Sequence, residues 1–104
     1  MDKPTITING KQISLPPVKA RFWREIIHFD EVREEIETKD FVDEHARIIA
    51  LAFGVTQDEV LDNLSVDDIL PTYAKTLRYV ISLLSAKINK DTPKKNIDTA
   101  EKSI

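Results

Sequence analysis

The segment FVDEHARIIALAFGVTQDEV, residues 41–60, decides the fold class, because it contains a helical pattern, a stop signal and a second helical start. Its apolar residues recur every three or four positions, as on one face of an α-helix. The members of this face are Phe41, His45, Ile48 and Ala52, with Val42, Ile49 and Phe53 beside them. We predict a helix that is capped by Thr38 or Asp40 and runs to Phe53. Gly54, which takes the left-handed conformation easily, ends it.

Two further helices are predicted on the C-terminal side of this segment. Thr56 and Glu59 have the spacing of a capping box, which favours a short helix that ends near Asn63. Pro71 suits the first turn of a helix, so we predict a long helix over residues 72–90. Its apolar stripe consists of Leu70, Tyr73, Leu77, Val80, Ile81, Leu84 and Ile88.

The N-terminal side predicts a β-hairpin over residues 5–15. Two alternating segments flank Asn9-Gly10, a pair that readily forms the type I′ turn between antiparallel strands. The apolar face of this hairpin consists of Ile6, Ile8, Ile13 and Leu15. Because an isolated hairpin is only marginally stable in water, we expect this face to pack on a helix.

A helix from Val18 to at least Phe29 follows the hairpin. Its core positions are Val18, Phe22, Ile26 and Phe29, which recur at helical spacing. Trp23 and Ile27 widen this face on one side. Arg33 would fall on the apolar stripe if the helix continued straight, so we expect a bend or break near Asp30.

Composition agrees with one small helical domain. The chain has 104 residues, of which 41% are hydrophobic and 32% charged, as in an ordinary folded cytoplasmic protein. We therefore predict a mainly α fold, a bundle of four to five helices with the hairpin packed on it, over residues 1–90. Residues 91–104 are polar and show no periodicity, which predicts a flexible tail. No apolar segment approaches the length of a membrane span.

The charges are segregated along the chain. The net charge is −3, but residues 30–68 contain 13 acidic residues and three basic ones, while the segments on either side are basic. Two interpretations remain open: the basic ends neutralise the acidic middle within the fold, or the middle forms an acidic surface for a basic partner. The acidic residues assigned to such a surface are Asp43, Glu44, Asp58 and Asp62.

No catalytic, cofactor or metal site is expected. The absence of cysteine excludes disulfides and thiolate metal sites, and two glycines are too few for a phosphate-binding loop. Adjacent acids such as Asp43 and Glu44 diverge by about 100° on a helix, so they cannot flank one bond. His45 lies on an apolar stripe and is expected in the core, and His28 has no partner at metal-ligand spacing. The sequence therefore predicts a protein that is not an enzyme.

Residues 49–60 resemble a helix-turn-helix, with Gly54 in the turn and Val60 where the second helix would pack inward. The residues that this second helix would present to DNA are Gln57, Asp58, Glu59, Asp62 and Asn63. There is no Lys or Arg between Ile48 and Ala74 to neutralise phosphates. Helix packing of this type is therefore expected, and nucleic-acid binding is not.

Four residues are candidates for contact with a protein partner. Trp23 and Ile27 lie at the flank of the first helix, and Arg78 and Tyr79 lie opposite the apolar stripe of the last one. Tryptophan and tyrosine are frequent anchors of protein interfaces. The alternatives are that Trp23 is a core side chain and that Tyr79 is merely a tolerated surface residue.

The order of these elements resembles the tail assembly chaperones of long-tailed phages and prophages of Gram-positive bacteria. The similar segments are Ile6–Lys11, Leu15–Arg24, Phe41–His45, Ala52–Thr56, Leu61–Leu64 and Asp67–Tyr73. The resemblance implies a non-enzymatic protein that coats the aggregation-prone tape measure protein in the host cytoplasm. It also implies recruitment of major tail tube subunits and absence from the finished virion. The genes of such proteins often contain a programmed frameshift that yields a longer form.

Other functions and partners remain open. One alternative is a structural head–tail connector that stays in the virion, and another is a small helix-turn-helix regulator. The expected partners are the tape measure protein and the major tail tube protein, with self-association as a further possibility. Neither nucleic acid nor a membrane is expected as a partner.

Overall fold

The computed structural model describes residues 2–91, with side chains described for residues 2–85. The elements are β1 (Thr5–Ile8), β2 (Lys11–Ser14), α1 (Ala20–Val32), a 3-10 turn (Arg33–Glu35), α2 (Thr38–Phe53), α3 (Gln57–Asn63) and α4 (Val66–Asp91). The prediction of a mainly α fold with an N-terminal hairpin is confirmed. The predicted tail, 91–104, lies outside the described residues apart from Asp91, as does the side chain of Ile88.

The hairpin forms at the predicted turn. Ile6 pairs with Ile13 and Ile8 with Lys11 in an antiparallel register. Asn9 and Gly10 both have positive φ, 51° and 80°, as a type I′ turn requires. On the apolar face, Ile6 and Ile8 are buried. Leu15 is also buried and Ile13 packs against the core, so this face is covered by the helices as expected.

Helix α2 supplies more buried residues than any other element described and packs against the three other helices. Its buried residues are His45, Ala46, Ile48, Ile49, Ala50, Ala52 and Phe53. Gly54 ends the helix with φ of 72°, and the backbone N–H groups of Gly54 and Val55 both donate to the carbonyl of Ala50. The predicted stop at Gly54 is therefore confirmed.

The predicted N-cap of α2 is wrong. Glu37 is the cap residue and its side chain makes no capping hydrogen bond, while Thr38 is already the first helical residue and Asp40 lies in the first turn. The capping box of α3 is correct: the hydroxyl of Thr56 accepts from the backbone N–H of Glu59. In return the Glu59 carboxylate accepts from the Thr56 backbone N–H.

Helix α1 begins slightly later than predicted, and its end agrees with the prediction of at least Phe29. It starts at Ala20, because Pro16 and Pro17 and the extended residues after them precede it, and it continues through Asp30 to Val32. The break falls at the 3-10 turn that starts with Arg33. Helix α1 therefore ends just before Arg33, whose charged side chain would lie on the apolar face if the helix continued.

Helix α4 differs most from the prediction. It begins at Val66, so Pro71 lies inside the helix and not at its start. Acidic residues Asp67 and Asp68 occupy the first turn, where they favour a helix N-terminus. Among the side chains of α4 that the structure describes, Ile69, Tyr73, Thr76 and Val80 are buried.

The predicted stripe of α4 is therefore only partly buried. Leu70, Ile81 and Leu84 are 41%, 41% and 40% exposed. The buried face of α4 includes Thr76 and is therefore rotated about the helix axis relative to the predicted stripe. The Thr76 hydroxyl can be buried because it donates a hydrogen bond to the carbonyl of Thr72 at 2.8 Å.

Candidate functional site

An apolar groove lies between the start of α1 and the late part of α4. Its lining residues are Val18, Lys19, Ala20, Trp23, Leu83 and Leu84, and its volume is about 470 Å³. We call it the Trp23 groove. Leu83 and Leu84 are 41% and 40% exposed, although leucine is a residue type that folding ordinarily buries. The groove therefore offers apolar surface that no side chain among residues 2–85 covers.

Trp23 is the largest side chain of this groove. It is half-buried and packs against the core, so one part of the indole is structural and another part borders the groove. Its Nε1 is shielded from solvent and has no hydrogen-bond acceptor within residues 2–85. Lys19 is exposed and is the charged residue of the lining.

A second concavity, of about 600 Å³, lies between α1, the 3-10 turn and α2. Its lining residues are Arg24, Glu25, His28, Phe29, Val32, Ile36, Glu44, Arg47 and Ile48. Arg47 donates to Glu44 at 3.3 Å, and its guanidinium carbon is 5.9 Å from the centre of the Phe29 ring. Because this concavity combines both signs of charge with an ion pair, it is less suited to an apolar partner than the Trp23 groove.

The four predicted contact residues do not share one surface. Trp23 borders the groove, whereas Ile27 is half-buried and packs against the core. Arg78 is exposed and lines a separate cleft with Pro4 and Lys75. Tyr79 is half-buried and packs against the core, so it does not lie freely on the surface.

Sequence reasoning missed Leu83, and it assigned Leu84 to the buried stripe. The available signal was two adjacent leucines followed by small and polar residues, since both members of such a pair seldom face one core. In the structure the last described buried residue of α4 is Val80, which leaves the two leucines beyond it partly exposed.

Most of the predicted acidic surface residues are exposed and form no ion pair with the described side chains. Asp43, Asp58 and Asp62 are exposed, whereas Glu44 is half-buried and paired with Arg47. The three basic residues of the acidic middle each form an ion pair: Arg33 with Asp30 at 3.8 Å, Lys39 with Glu37 at 3.6 Å and Arg47 with Glu44 at 3.3 Å. Of the 13 acids in residues 30–68, ten thus have no such pair within the described side chains.

His45 is a core residue, as the sequence predicts. It is fully buried among the rings of Phe29, Phe41 and Tyr73, whose centres lie 5.0, 4.1 and 5.0 Å from its own. Arg33 donates from Nε to His45 Nε2 at 3.2 Å. Because arginine cannot accept, Nε2 must be the unprotonated nitrogen, and Nδ1 donates to the Phe41 carbonyl at 2.8 Å.

The surroundings of His45 hold it neutral. Burial lowers the pKa of His45 below its usual 6.5, and the Arg33 charge lowers it further against the opposing hydrogen bond to Phe41. Burial also raises the pKa of Tyr73 far above its ordinary range, helped by the hydrogen bond from its hydroxyl to Asp30 at 3.0 Å. The ring nitrogens of His45 and the hydroxyl of Tyr73 all have hydrogen-bond partners within the bundle, so these two side chains contribute to packing.

The predicted order of helix, glycine turn and capped second helix is present in α2, Gly54 and α3, but several of the residues that would face DNA have internal roles. Glu59 is committed to the capping box, and the Asn63 side chain accepts from the Asn9 backbone N–H at 2.8 Å. Gln57 donates to the Asp43 carbonyl at 2.7 Å, which fixes α3 against α2. What remains exposed is acidic, Asp58 and Asp62.

The part of the chain that the structure describes holds neither a candidate metal site nor a candidate membrane-spanning helix. Within the described residues, no group of three or more His, Asp or Glu side chains is placed to hold a metal ion. No described helix combines the length and the apolar character needed to cross a membrane. A comparison with known proteins finds no family model, no curated protein and no solved structure that matches the chain.

Proposed function

We propose that this protein is a tail assembly chaperone of a long-tailed phage or prophage, and that it holds helical segments of the tape measure protein in the Trp23 groove. The observation that supports this most directly is the groove itself, an uncovered apolar surface formed by Trp23, Leu83 and Leu84. The proposed place of action is the host cytoplasm, before the virion is complete.

The groove has the chemistry for an amphipathic helix. Such a partner inserts side chains spaced at i, i+3, i+4 and i+7 into an apolar groove, while its polar face stays in water. Lys19 at the rim favours an acidic residue on that polar face.

The acidic middle supports the second half of this function. Asp43, Asp58 and Asp62 are exposed and lie outside the groove lining. A complex that displays this charge repels other such complexes, which counters aggregation of the bound partner. The same surface offers a docking place for a basic face of the major tail tube protein.

The family resemblance agrees with the position of the groove. One of the similar segments is Leu15–Arg24, and it contains four of the six residues that line the groove. This segment of the resemblance thus coincides with one side of the groove. The same residues also shape the start of α1.

Co-expression with the tape measure protein of the same phage tests the proposal. We expect the wild-type protein to keep the tape measure protein in the soluble fraction and to co-purify with it. Leu83→Glu places a charge in the groove at an exposed position, so recovery should fall at least about tenfold. Leu51→Glu is the matched control, because Leu51 is 51% exposed on α2, away from the groove.

Trp23→Ala tests the same groove but also removes core contacts. Since Trp23 and Tyr79 are both half-buried, their alanine variants should lose stability as well as any partner contact, and each needs a melting curve beside the binding assay. If Leu83→Glu and Leu51→Glu retain the tape measure protein equally, the groove is not its binding site. If the wild type fails to retain it, the chaperone function is wrong.

The alternative functions give different results in two further assays. A head–tail connector would be present at fixed stoichiometry in purified virions, which mass spectrometry detects, whereas the chaperone should be absent. A helix-turn-helix regulator would shift DNA at low salt. The acidic surface of α3 predicts no shift.

A further inference from the structure

The turn of the hairpin contains two adjacent residues that can react with each other. Asn9 and Gly10 are both exposed and form the two-residue connection between β1 and β2. The side-chain carboxamide of an asparagine is an electrophile, and the backbone nitrogen of the next residue can close a five-membered ring with it. Glycine in that next position leaves the nitrogen unshielded, because it has no side chain. Each of the other three asparagines precedes a residue with a long side chain: Leu64, Lys90 or Ile97.

The fold does not hold the reacting nitrogen. The backbone N–H of Gly10 donates to no backbone carbonyl among residues 2–91. Asn63 shows the opposite case, because the next residue is Leu64, whose N–H donates to the Val60 carbonyl at 3.0 Å. A Cβ placed on Gly10 would meet no heavy atom within 4 Å apart from its chain neighbours, so the turn has open space on that side. Attack by the nitrogen therefore breaks no backbone hydrogen bond at Gly10 and would break one at Leu64.

The backbone of the turn is one rotation away from the reactive geometry. With φ of 51° at Asn9 and 80° at Gly10, the connection is a type I′ turn. Ring closure brings the Gly10 nitrogen in line with the Cβ of Asn9. In an L-residue this requires ψ of about −120°, which is the value at the first central residue of a type II′ turn. Rotation of the peptide group between the two residues converts one turn into the other, and both types connect the strands of a two-residue hairpin.

We propose that Asn9 is a site of spontaneous modification in the folded protein, where the Gly10 nitrogen attacks Asn9 Cγ and converts the turn into a cyclic succinimide. The new bond joins that nitrogen to Cγ, and the bond from Cγ to Nδ2 breaks. The leaving nitrogen takes up the Gly10 amide proton and departs as ammonia. Water then opens the ring at either carbonyl, which leaves aspartate or isoaspartate at position 9. Nothing is oxidised or reduced, and the inference does not depend on the proposed function.

The two products should differ in their effect on the fold. Aspartate followed by glycine also forms type I′ turns, so this product keeps the hairpin and adds one negative charge. Isoaspartate routes the main chain through the former side chain, which adds one carbon atom to the connection. Because the loop sets the register in which Ile8 pairs with Lys11, the longer connection should disturb the pairing. Ile6 and Ile8 are buried against the helices, so the isoaspartyl form should be less stable than the original protein.

Mass spectrometry of protein incubated at pH 8 tests the reaction itself. Trypsin releases residues 1–11 as one peptide, because Lys3 precedes a proline, and residues 48–75, which contain Asn63, as another. Replacement of NH2 by OH should raise the mass of the first peptide by about 1 Da. The second peptide should react at least about tenfold more slowly, because of the hydrogen bond at Leu64. In the control Asn9→Gln a six-membered ring would be needed, so the first peptide should keep its mass.

Comparison of folded and unfolded protein tests the role of the turn. A reaction confined to unfolded molecules would be slower in buffer than in guanidinium chloride by the unfolding constant of the protein, typically about a thousandfold or more. Rotation within the hairpin predicts a much smaller ratio of the two rates. A ratio that equals the unfolding constant measured for the same protein would overturn the proposal, as would a first peptide that stays unmodified in buffer.

Asn63→Ala separates rotation within the docked turn from detachment of the hairpin. The Asn63 side chain accepts from the Asn9 backbone N–H at 2.8 Å, and this N–H belongs to the peptide group before Asn9, which does not rotate. The variant should therefore react at the wild-type rate within about threefold, less than the effect of one lost hydrogen bond. A larger acceleration would show that the turn must first leave α3, which overturns the rotation.

Melting curves test the predicted difference between the products. Asn9→Asp should melt like fresh wild type, because it reproduces the aspartyl product. Aged wild type in which an isoaspartyl methyltransferase detects isoaspartate should show a second transition at lower temperature. A single transition at the wild-type temperature in such protein would overturn the effect assigned to the longer connection.

Discussion

Acidification should destabilise the fold through His45. In the folded protein burial and the Arg33 charge lower the pKa of this side chain, and in the unfolded chain it returns to about 6.5. Below pH 6.5 the unfolded chain therefore binds a proton that the folded protein resists, so the free energy of unfolding falls as the pH falls. The loss is at most about 1.4 kcal/mol for each pH unit, down to the lowered pKa of the folded state.

The structure explains why the folded state resists this proton. Protonated Nε2 would lose its hydrogen bond from Arg33 and would point an N–H group at the guanidinium. Water cannot compensate, because Phe29, Phe41 and Tyr73 surround the imidazole and leave none of it exposed. Above pH 7 the histidine is neutral in both states, and its contribution to the pH dependence disappears.

Urea denaturation at pH 7.5, 6.5 and 5.5 measures the effect, and fluorescence of Trp23, the sole tryptophan, reports unfolding. His45→Gln retains an acceptor for Arg33 and removes the titration, so it should be less stable at pH 7.5 but should lose less stability on acidification. His28→Gln is the control for the loss of a histidine, since His28 is exposed. If wild type and His45→Gln lose stability equally between pH 7.5 and 5.5, the assignment of a neutral buried histidine is refuted.

Two hydrogen-bond deletions should have local effects on the free energy of unfolding, both measured in urea at pH 7.5. Tyr73→Phe removes the bond to Asp30 and should cost about 1 kcal/mol, whereas Tyr79→Phe, whose hydroxyl has no bond within residues 2–85, should cost less than about 0.5 kcal/mol. Thr56→Ala removes the capping hydroxyl of α3 and should cost about 1 kcal/mol. Thr38→Ala should leave the free energy of unfolding nearly unchanged, because the structure shows no capping hydrogen bond at the start of α2. A loss of about 1 kcal/mol or more would instead support Thr38 as the cap residue, as the sequence predicts.

The elements that were predicted correctly are those fixed by neighbours in the chain. The Asn9-Gly10 turn needs two residues that tolerate positive φ, Gly54 needs one, and the Thr56 capping box joins groups three residues apart. Such requirements can be recognised from a few consecutive residues of the sequence. The hairpin register and the end of α2 were therefore predictable without tertiary information.

The predictions that were wrong concern features that depend on contacts between residues far apart in the chain. Thr76 is buried in the bundle with its hydroxyl bonded to the carbonyl of Thr72, whereas the predicted stripe of α4 contains only apolar residues and Tyr73 and leaves Thr76 out. Pro71 is typical of the first turn of a helix, so the sequence predicts that α4 starts beside it. In the structure the turn before Pro71 is also helical, and Ile69 in that turn is buried in the bundle. The Trp23 groove joins residues about sixty positions apart, and no local pattern indicates that they meet.

The hydrogen bond from Asn9 to Asn63 links positions 54 apart in the chain and has a consequence for how the molecule opens. The Asn9 amide points out of the ladder and is protected only while the turn rests on α3, whereas the ladder amides of β1 and β2 are bonded within the hairpin. Detachment of the hairpin from the helices and separation of its two strands are thus distinct events with distinct amide exchange. Exchange of the Asn9 amide that is faster than exchange of the ladder amides would therefore report detachment of the hairpin from α3 without separation of its strands.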